Sequence, residues 1–274
     1  MRLCPLVAAV LAASALGFAA PAAAQSAPRG AARPDSLAAW MRPGISLALA
    51  QHRARTIGDV RYAIALDVGA LDSAVGRVGV RFLRSDTGDV ILDFRGRRIS
   101  RASANGPDIT LTLANGAHLR VPASALRPGE NALEFAFVAA IAPSGASIIR
   151  FHDRADGSDY LYTLLVPADA NQLFPCFDQP DLKARVTLTL TTPGGWTALA
   201  NGALAAADTA GAAITHRFAE SQPISTYLIA FAAGPWHRVG RIVDGRTVNG
   251  YVRRSRAAEA DLDTLVAQNA RALG

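Results

Sequence analysis

Five histidines, two cysteines and one acidic cluster are the side chains with chemistry to offer in this 274-residue chain. His52, His118, His152, His216 and His237 would suit a zinc hydrolase if two stood four residues apart on a helix with Glu after the first. No pair has that spacing and none precedes Glu, so each reads as a surface or structural imidazole in or beside a strand or turn. There is no Gly-x-Ser-x-Gly elbow for a serine nucleophile and no Gly-rich phosphate loop ending in Lys-Ser/Thr. Cys176 is flanked by Phe174, Pro175 and Phe177 rather than by the basic neighbours that activate a thiol, and reads as a buried core residue. The run His152-Asp153-Arg-Ala-Asp156-Gly157-Ser-Asp159 could gather carboxylates around calcium. Its spacing is not that of an EF-hand loop, no Glu closes it, and Arg154 sits inside. An Asp-rich turn ahead of a strand at Tyr160 is the competing reading.

The elements that must position these groups are mostly strands. Candidate strands are Asp59–Asp67, Gly76–Leu83, Val90–Phe94, Asp108–Leu113, His118–Val121 and Asn131–Val138. Ser85-Asp-Thr-Gly88, Asn105-Gly106, Asn115-Gly116 and Pro128-Gly129 supply the turns. Further strands follow at Arg185–Thr191, Trp196–Asn201, Ala213–Ala219, Thr226–Ala232 and Val248–Tyr251. From Ile45 onward β is the dominant pattern. Helical spacing appears at Ala257–Leu273, with Leu262, Leu265, Val266, Asn269 and Leu273 on one face. Many short strands with frequent turns predict an all-β sandwich.

Half the residues are hydrophobic and 18% charged, which excludes a disordered chain. The formal charge of +6 comes almost wholly from arginine, Lys183 being the only lysine. The densest basic runs, Arg95-Gly-Arg97-Arg98 and Arg253-Arg254-Ser-Arg256, lack interleaved aromatics, which argues against a nucleic-acid partner. Arg2 precedes an uncharged Ala/Leu/Val-rich run to Ala24, with alanines at the −3 and −1 positions of a cut after Ala24. That is the layout of a secretory signal peptide. A stable membrane anchor is the rival, weakened by the abundance of alanine and by Pro5 and Pro21.

Tyr160-Leu-Tyr-Thr-Leu-Leu-Val-Pro-Ala-Asp-Ala-Asn-Gln-Leu-Phe-Pro-Cys-Phe-Asp-Gln-Pro-Asp-Leu-Lys-Ala184 carries the strongest pattern. On its residues alone it reads as a strand to Val166, one helical turn over Asp169–Leu173, a corner pinned by Pro175 and Pro180, and a second strand. It also resembles a signature of the M1 family of zinc aminopeptidases, carried here by Tyr160, Pro175, Cys176, Phe177, Asp178 and Pro180. Arg61–Asp67, Gly76–Phe82, Asp89–Gly96, Trp196–Gly202 and Ser225–Gly234 are similar to that family's strands in the expected order.

The resemblance implies a large saddle-like antiparallel β-sandwich packed on an α+β, thermolysin-like catalytic domain. It implies zinc in the full-length enzyme, held by two His and a Glu, with the Glu of His-Glu-x-x-His as general base. It also implies a Gly-x-Met-Glu-Asn loop that grips the peptide's amine. Neither motif occurs in these 274 residues, so no catalytic or metal-binding residue is expected among them. The expected organisation is a signal peptide over 1–24, a flexible lead-in over 25–44, the β-domain over 45–242 and the start of the catalytic domain over 243–274, cut short. Where the family commonly has Tyr-Thr-Gln-Phe-Glu-Pro, this chain has Tyr162-Thr-Leu-Leu-Val-Pro167. Leu164 and Val166 thus replace the family's amine-binding Gln and Glu and qualify only as pocket-lining residues. Either a subgroup reads the amine with its catalytic domain alone, or the first pocket favours apolar side chains, or peptidase function is lost. The expected role is to shape the cleft of an exported aminopeptidase, in the periplasm or outside the cell, with a peptide substrate and its own catalytic domain as partners. The alternative is a freestanding, non-catalytic secreted β-sandwich that binds a protein or peptide.

Overall fold

The structure, a computed structural model, describes residues 37–243 and 245–272. The signal-peptide segment over 1–24 and the lead-in up to residue 36 lie outside the described residues.

Two helices come first, α1 (Leu37–Trp40) and α2 (Leu47–Thr56). Strands follow as β1 (Ile57–Asp67), β2 (Ser73–Arg84), β3 (Val90–Asp93), β4 (Arg98–Ala104), β5 (Thr112–Ala114), β6 (His118–Val121), β7 (Gly129–Ala142), β8 (Ile148–Asp153) and β9 (Ser158–Thr163). The short α3 (Ala170–Leu173) leads into β10 (Ala184–Pro193), β11 (Thr197–Ala200), β12 (Leu204–Ala210), β13 (Ala213–Phe218) and β14 (Phe231–Gly234). A hairpin of β15 (His237–Val243) and β16 (Arg246–Val252) and a last helix α4 (Leu262–Ala272) complete the order.

The main sheet runs β11-β14-β9-β8-β7-β2-β1-β10-β13-β12, with β4 also paired to β7. It is mostly antiparallel, but β1 pairs with β10 and β7 with β8 in parallel. β3, β6 and β5 form a separate three-stranded sheet. β2 shows why these segments extend: Ala74, Val78, Val80 and Phe82 point into the core, while Val75, Arg77, Arg81 and Leu83 point out. Asn105-Gly106 and Asn115-Gly116 both hold positive φ, as tight turns built on Asn-Gly require.

Four features depart from the sequence pattern. α2 occupies a stretch where β was expected, capped by Ser46, whose hydroxyl accepts from the Leu49 amide at 3.2 Å. It places His52 on a helix, where a strand or turn was expected. β4, β8, β12 and β15 carry no clear two-residue period and are made by their pairing partners. The strand expected over Asp108–Leu113 is confined to Thr112–Ala114, and Thr226–Leu228 is a 3-10 turn ahead of β14. Finally, α4 buries Leu262, Val266 and Ala270, leaving Leu265 and Asn269 exposed. Gly250 sets that face: a Cβ there would lie 2.9 Å from Val266 and 3.2 Å from Leu262. Among the described residues no helix is long and apolar enough to cross a membrane.

Candidate functional site

The segment from Tyr160 to Ala184 forms a wedge that ties several elements together. Phe174, Cys176 and Phe177 are fully buried, with Phe174 edge-on to Tyr62 at 5.3 Å and Phe177 edge-on to Phe82 at 5.4 Å. Pro175 is buried at the corner, and the exposed Pro180 offers its carbonyl to the Ser225 hydroxyl at 2.6 Å. Cys176 exchanges both backbone hydrogen bonds with Asp93, at 2.7 and 3.1 Å. Its thiol is an unpaired core group whose pKa burial pushes well up, and nearby Asp178 and Asp93 push it further.

Asp178 locks the corner. One carboxylate oxygen accepts from the Thr226 hydroxyl at 2.7 Å; the other accepts from the Asn171 backbone and side-chain amides at 3.0 and 2.6 Å. Burial raises its pKa, against those three donors.

Beneath the corner lies a buried ionic network. Arg53 on α2 grips Asp93 with both terminal nitrogens, at 2.8 and 2.9 Å. It also donates twice to the Ile91 carbonyl, at 3.1 and 2.8 Å. Asp93 takes two more contacts, from His118 Nδ1 at 2.9 Å and from the Asp178 amide at 3.0 Å. Burial alone would raise the Asp93 pKa; Arg53 and His118 outweigh it and hold the carboxyl below its ordinary value. Burial likewise opposes the His118 imidazolium, but Asp93 and the carbonyls of Gly44 and Arg42 hold its pKa above the ordinary value. The geometry agrees: Nε2 lies 2.9 Å from the Arg42 carbonyl and 3.1 Å from that of Gly44, so both ring nitrogens face acceptors. His118 thereby fastens residues 42–44, part of the expected lead-in, to β6. Neither Arg53 nor Asp93 was legible as a partner, because they lie on a helix and a strand separated by 40 positions.

The acidic run forms the β8–β9 turn; Asp159 meets Arg150 and His152 across the hairpin, while Asp153 and Asp156 reach the chain beyond β16. Asp153 accepts from the Ser255 hydroxyl at 2.6 Å and from Arg253 at 2.8 Å. Asp156 accepts from the Tyr160 hydroxyl at 2.7 Å and the Ser255 amide at 3.2 Å. The Tyr160 ring packs on Trp236, centroids 4.7 Å apart, and its oxygen accepts from the Arg254 amide at 3.1 Å. Arg253 lies over the Phe151 ring at 4.3 Å. Among the described residues no group of three or more His, Cys, Asp or Glu is placed to hold a metal ion. The five histidines are dispersed: His118 and His216 are buried, His52 stacks on Trp40, His152 meets Asp159, and His237 opens β15.

Leu164 and Val166 lie just past β9, 53% and 56% exposed, while Leu165 between them is buried. Tyr162, two residues before, is 41% exposed. The structure brings Pro175, Cys176, Phe177, Asp178 and Pro180 together at the corner, sets Tyr160 apart from them against Trp236, Asp156 and Arg254, and leaves Leu164 and Val166 facing solvent between the two.

A profile of the Peptidase M1 N-terminal domain matches residues 60–228. Aminopeptidase N of Streptomyces lividans is 31% identical over 234 residues, covering 81% of this chain and 27% of that protein. Aminopeptidase M1-D of Oryza sativa subsp. japonica is 28% identical over 240 residues, covering 85% of this chain and 26% of its own. Human glutamyl aminopeptidase is 38% identical over 89 residues, 32% of this chain and 9% of that protein. The chain thus spans about a quarter of the length of the relatives it matches over most of its own. The profile match and the ordered strands around the Tyr160–Ala184 corner have one meaning: the chain belongs to the M1 peptidase family, of which residues 60–228 are the N-terminal domain.

Proposed function

We propose that this chain is the N-terminal domain of an exported zinc aminopeptidase and that it walls one side of the cleft where peptides lose their N-terminal residue. The observation that carries the reading is the exposed trio Tyr162, Leu164 and Val166 at the margin of the M1 corner. The relatives named aminopeptidase support the reaction class. Two aliphatic side chains cannot accept a charge-assisted hydrogen bond from a peptide's ammonium group, a contact of about 1.5–3 kcal/mol. Amine recognition then falls to the catalytic domain, and Leu164 and Val166 favour substrates with apolar first side chains. Residues outside those described would hold the zinc, since no group here fits it. No catalytic step is assigned to residues 37–272.

The expected partners are a peptide and the protein's own catalytic domain. Many arginines are engaged by carboxylates, among them Arg61, Arg81, Arg95, Arg120 and Arg150, which weakens a nucleic-acid reading. Export, to the periplasm or the medium, rests on the Arg2–Ala24 segment. The test is the native protein purified from its source: its intact mass, its N-terminus, and its hydrolysis of leucine p-nitroanilide with and without chelator. A mass several times that of these residues, a cut near Ala24 and zinc-restored hydrolysis are expected. A native chain ending at Gly274 with no hydrolysis would refute the reading and leave a non-catalytic secreted binding domain.

A further inference from the structure

Between β4 and the three-stranded sheet lies a cleft of about 300 Å³, and it owes nothing to the peptidase reading. Its floor is core: Phe94, Ala102 and Leu119 are buried there. Its walls are unfinished. Ile99, Ile109 and Leu111 are only half-buried, and Leu113 on β5 is 52% exposed. An apolar cleft with a few convergent polar groups is where small ligands bind. The polar groups here share one sign. Arg97, Arg98 and Arg101 stand on the lining, together with the Ser100 hydroxyl. Arg97 reaches Asp72 at 3.3 Å and Arg101 reaches Asp108 at 2.9 Å, both in solvent-exposed pairs of small worth. Arg98 has no ion pair or hydrogen bond of its side chain among the described residues.

We propose that this cleft binds a single-tailed amphipathic anion, a medium-chain carboxylate whose tail lies on Ile99, Ile109, Leu111 and Leu113 and whose head meets Arg98. The volume is roughly that of ten liquid water molecules, enough for one short tail. The tail removes half-exposed aliphatic surface from water, and the head exchanges one solvated charge for a guanidinium contact. A cation of the same tail length meets the uncompensated charge of Arg98, Arg97 and Arg101 being paired with Asp72 and Asp108, and is disfavoured.

The test is calorimetric titration of the full chain with decanoate, kept below its micelle concentration. Decylamine and a leucine-ended acetyl dipeptide with a free carboxylate serve as comparisons. One-to-one decanoate binding is expected, weakened tenfold or more in Arg98→Glu and in Leu113→Glu, with no saturable binding of decylamine. Both substituted side chains are exposed, so the variants should melt with the parent. Should either lose its fold, methyl NMR shifts of Ile99, Ile109 and Leu111 in the parent, moving together on titration, decide the question. The proposal is overturned if decanoate fails to saturate at millimolar concentration, or if decylamine binds equally well. It is also overturned if folded variants bind like the parent, or if the dipeptide binds more tightly, which would give the site to peptide carboxylates.

Discussion

Replacing Arg53 with Met keeps the aliphatic stem on α2 and removes the guanidinium that faces Asp93. Four hydrogen bonds go with it, two to the carboxylate and two to the Ile91 carbonyl. Asp93 is left buried with His118 and one backbone amide as its remaining partners. Breaking one side of a buried ion pair costs about 3–5 kcal/mol, because the orphaned charge stays out of water. For a domain of this size each kcal/mol moves the melting temperature by about 2–4 °C, so a fall of roughly 6–20 °C is expected. The matched control is Arg61→Met, whose contacts with Glu220 and Asp59 at 3.4 Å are exposed and should cost under about 1 kcal/mol. Urea denaturation at constant m-value measures both. If Arg53→Met costs no more than Arg61→Met, the buried network is not what fastens α2 to the sheet.

Three further outcomes are expected. His118 has a raised pKa when folded, so its stabilisation is complete below the ordinary value of 6.5 and is lost as pH rises through the raised value. The stability gap between parent and His118→Gln should shrink over that interval; His52 and His216, with lowered values, act in the opposite sense and cancel in the difference. Gly234→Ala would place a Cβ 2.7 Å from the Tyr160 ring, which Trp236 blocks from retreating, so a loss of about 1–3 kcal/mol is expected in denaturant titration. Asp153→Ala removes the acceptor of Ser255 and Arg253, and limited proteolysis should then cut more readily between residues 236 and 256. The Ser255 hydroxyl and the Ala155 amide hold the Asp153 carboxyl below its ordinary 3.8, so in the parent the same cuts should appear as pH falls below 3.8.

What was legible in the sequence is what repeats or what only certain residues can do. β2 and β7 alternate for over ten residues, and Asn-Gly turns announce themselves. The corner residues Phe174, Pro175, Cys176 and Phe177 are apolar beyond what a turn needs, and all four are buried. What was missed depends on partners distant in sequence. The inner face of α2 includes Arg53, a residue that reads as solvated until Asp93 is placed opposite it. β12 is exposed along its whole length and exists through its pairing with β13. The face of α4 was misplaced because Gly250, which lets the helix approach, comes before it in the chain.

The acidic run and the Leu164–Val166 pair show how far side-chain type alone carries a functional reading. Three aspartates around a glycine fit a cation or a turn equally well until the groups opposite are known. Here Arg253 and Ser255 are those groups, 100 and 102 positions away from Asp153, and they take the carboxylate for structure. Leu164 and Val166 pose the inverse case. In a segment whose neighbours Leu165, Leu173, Phe174 and Phe177 are all buried, these two face outward with Tyr162. Full burial of a Leu or Val side chain contributes about 1.5–3 kcal/mol, a gain this chain forgoes at both positions. Polar residues would cost nothing there if the surface simply met water. Leu47, Leu71, Val75 and Ile242 are more exposed still, so exposure alone assigns Leu164 and Val166 no partner; it is their place at the margin of the M1 corner, beside Tyr162, on which the proposed cleft wall rests.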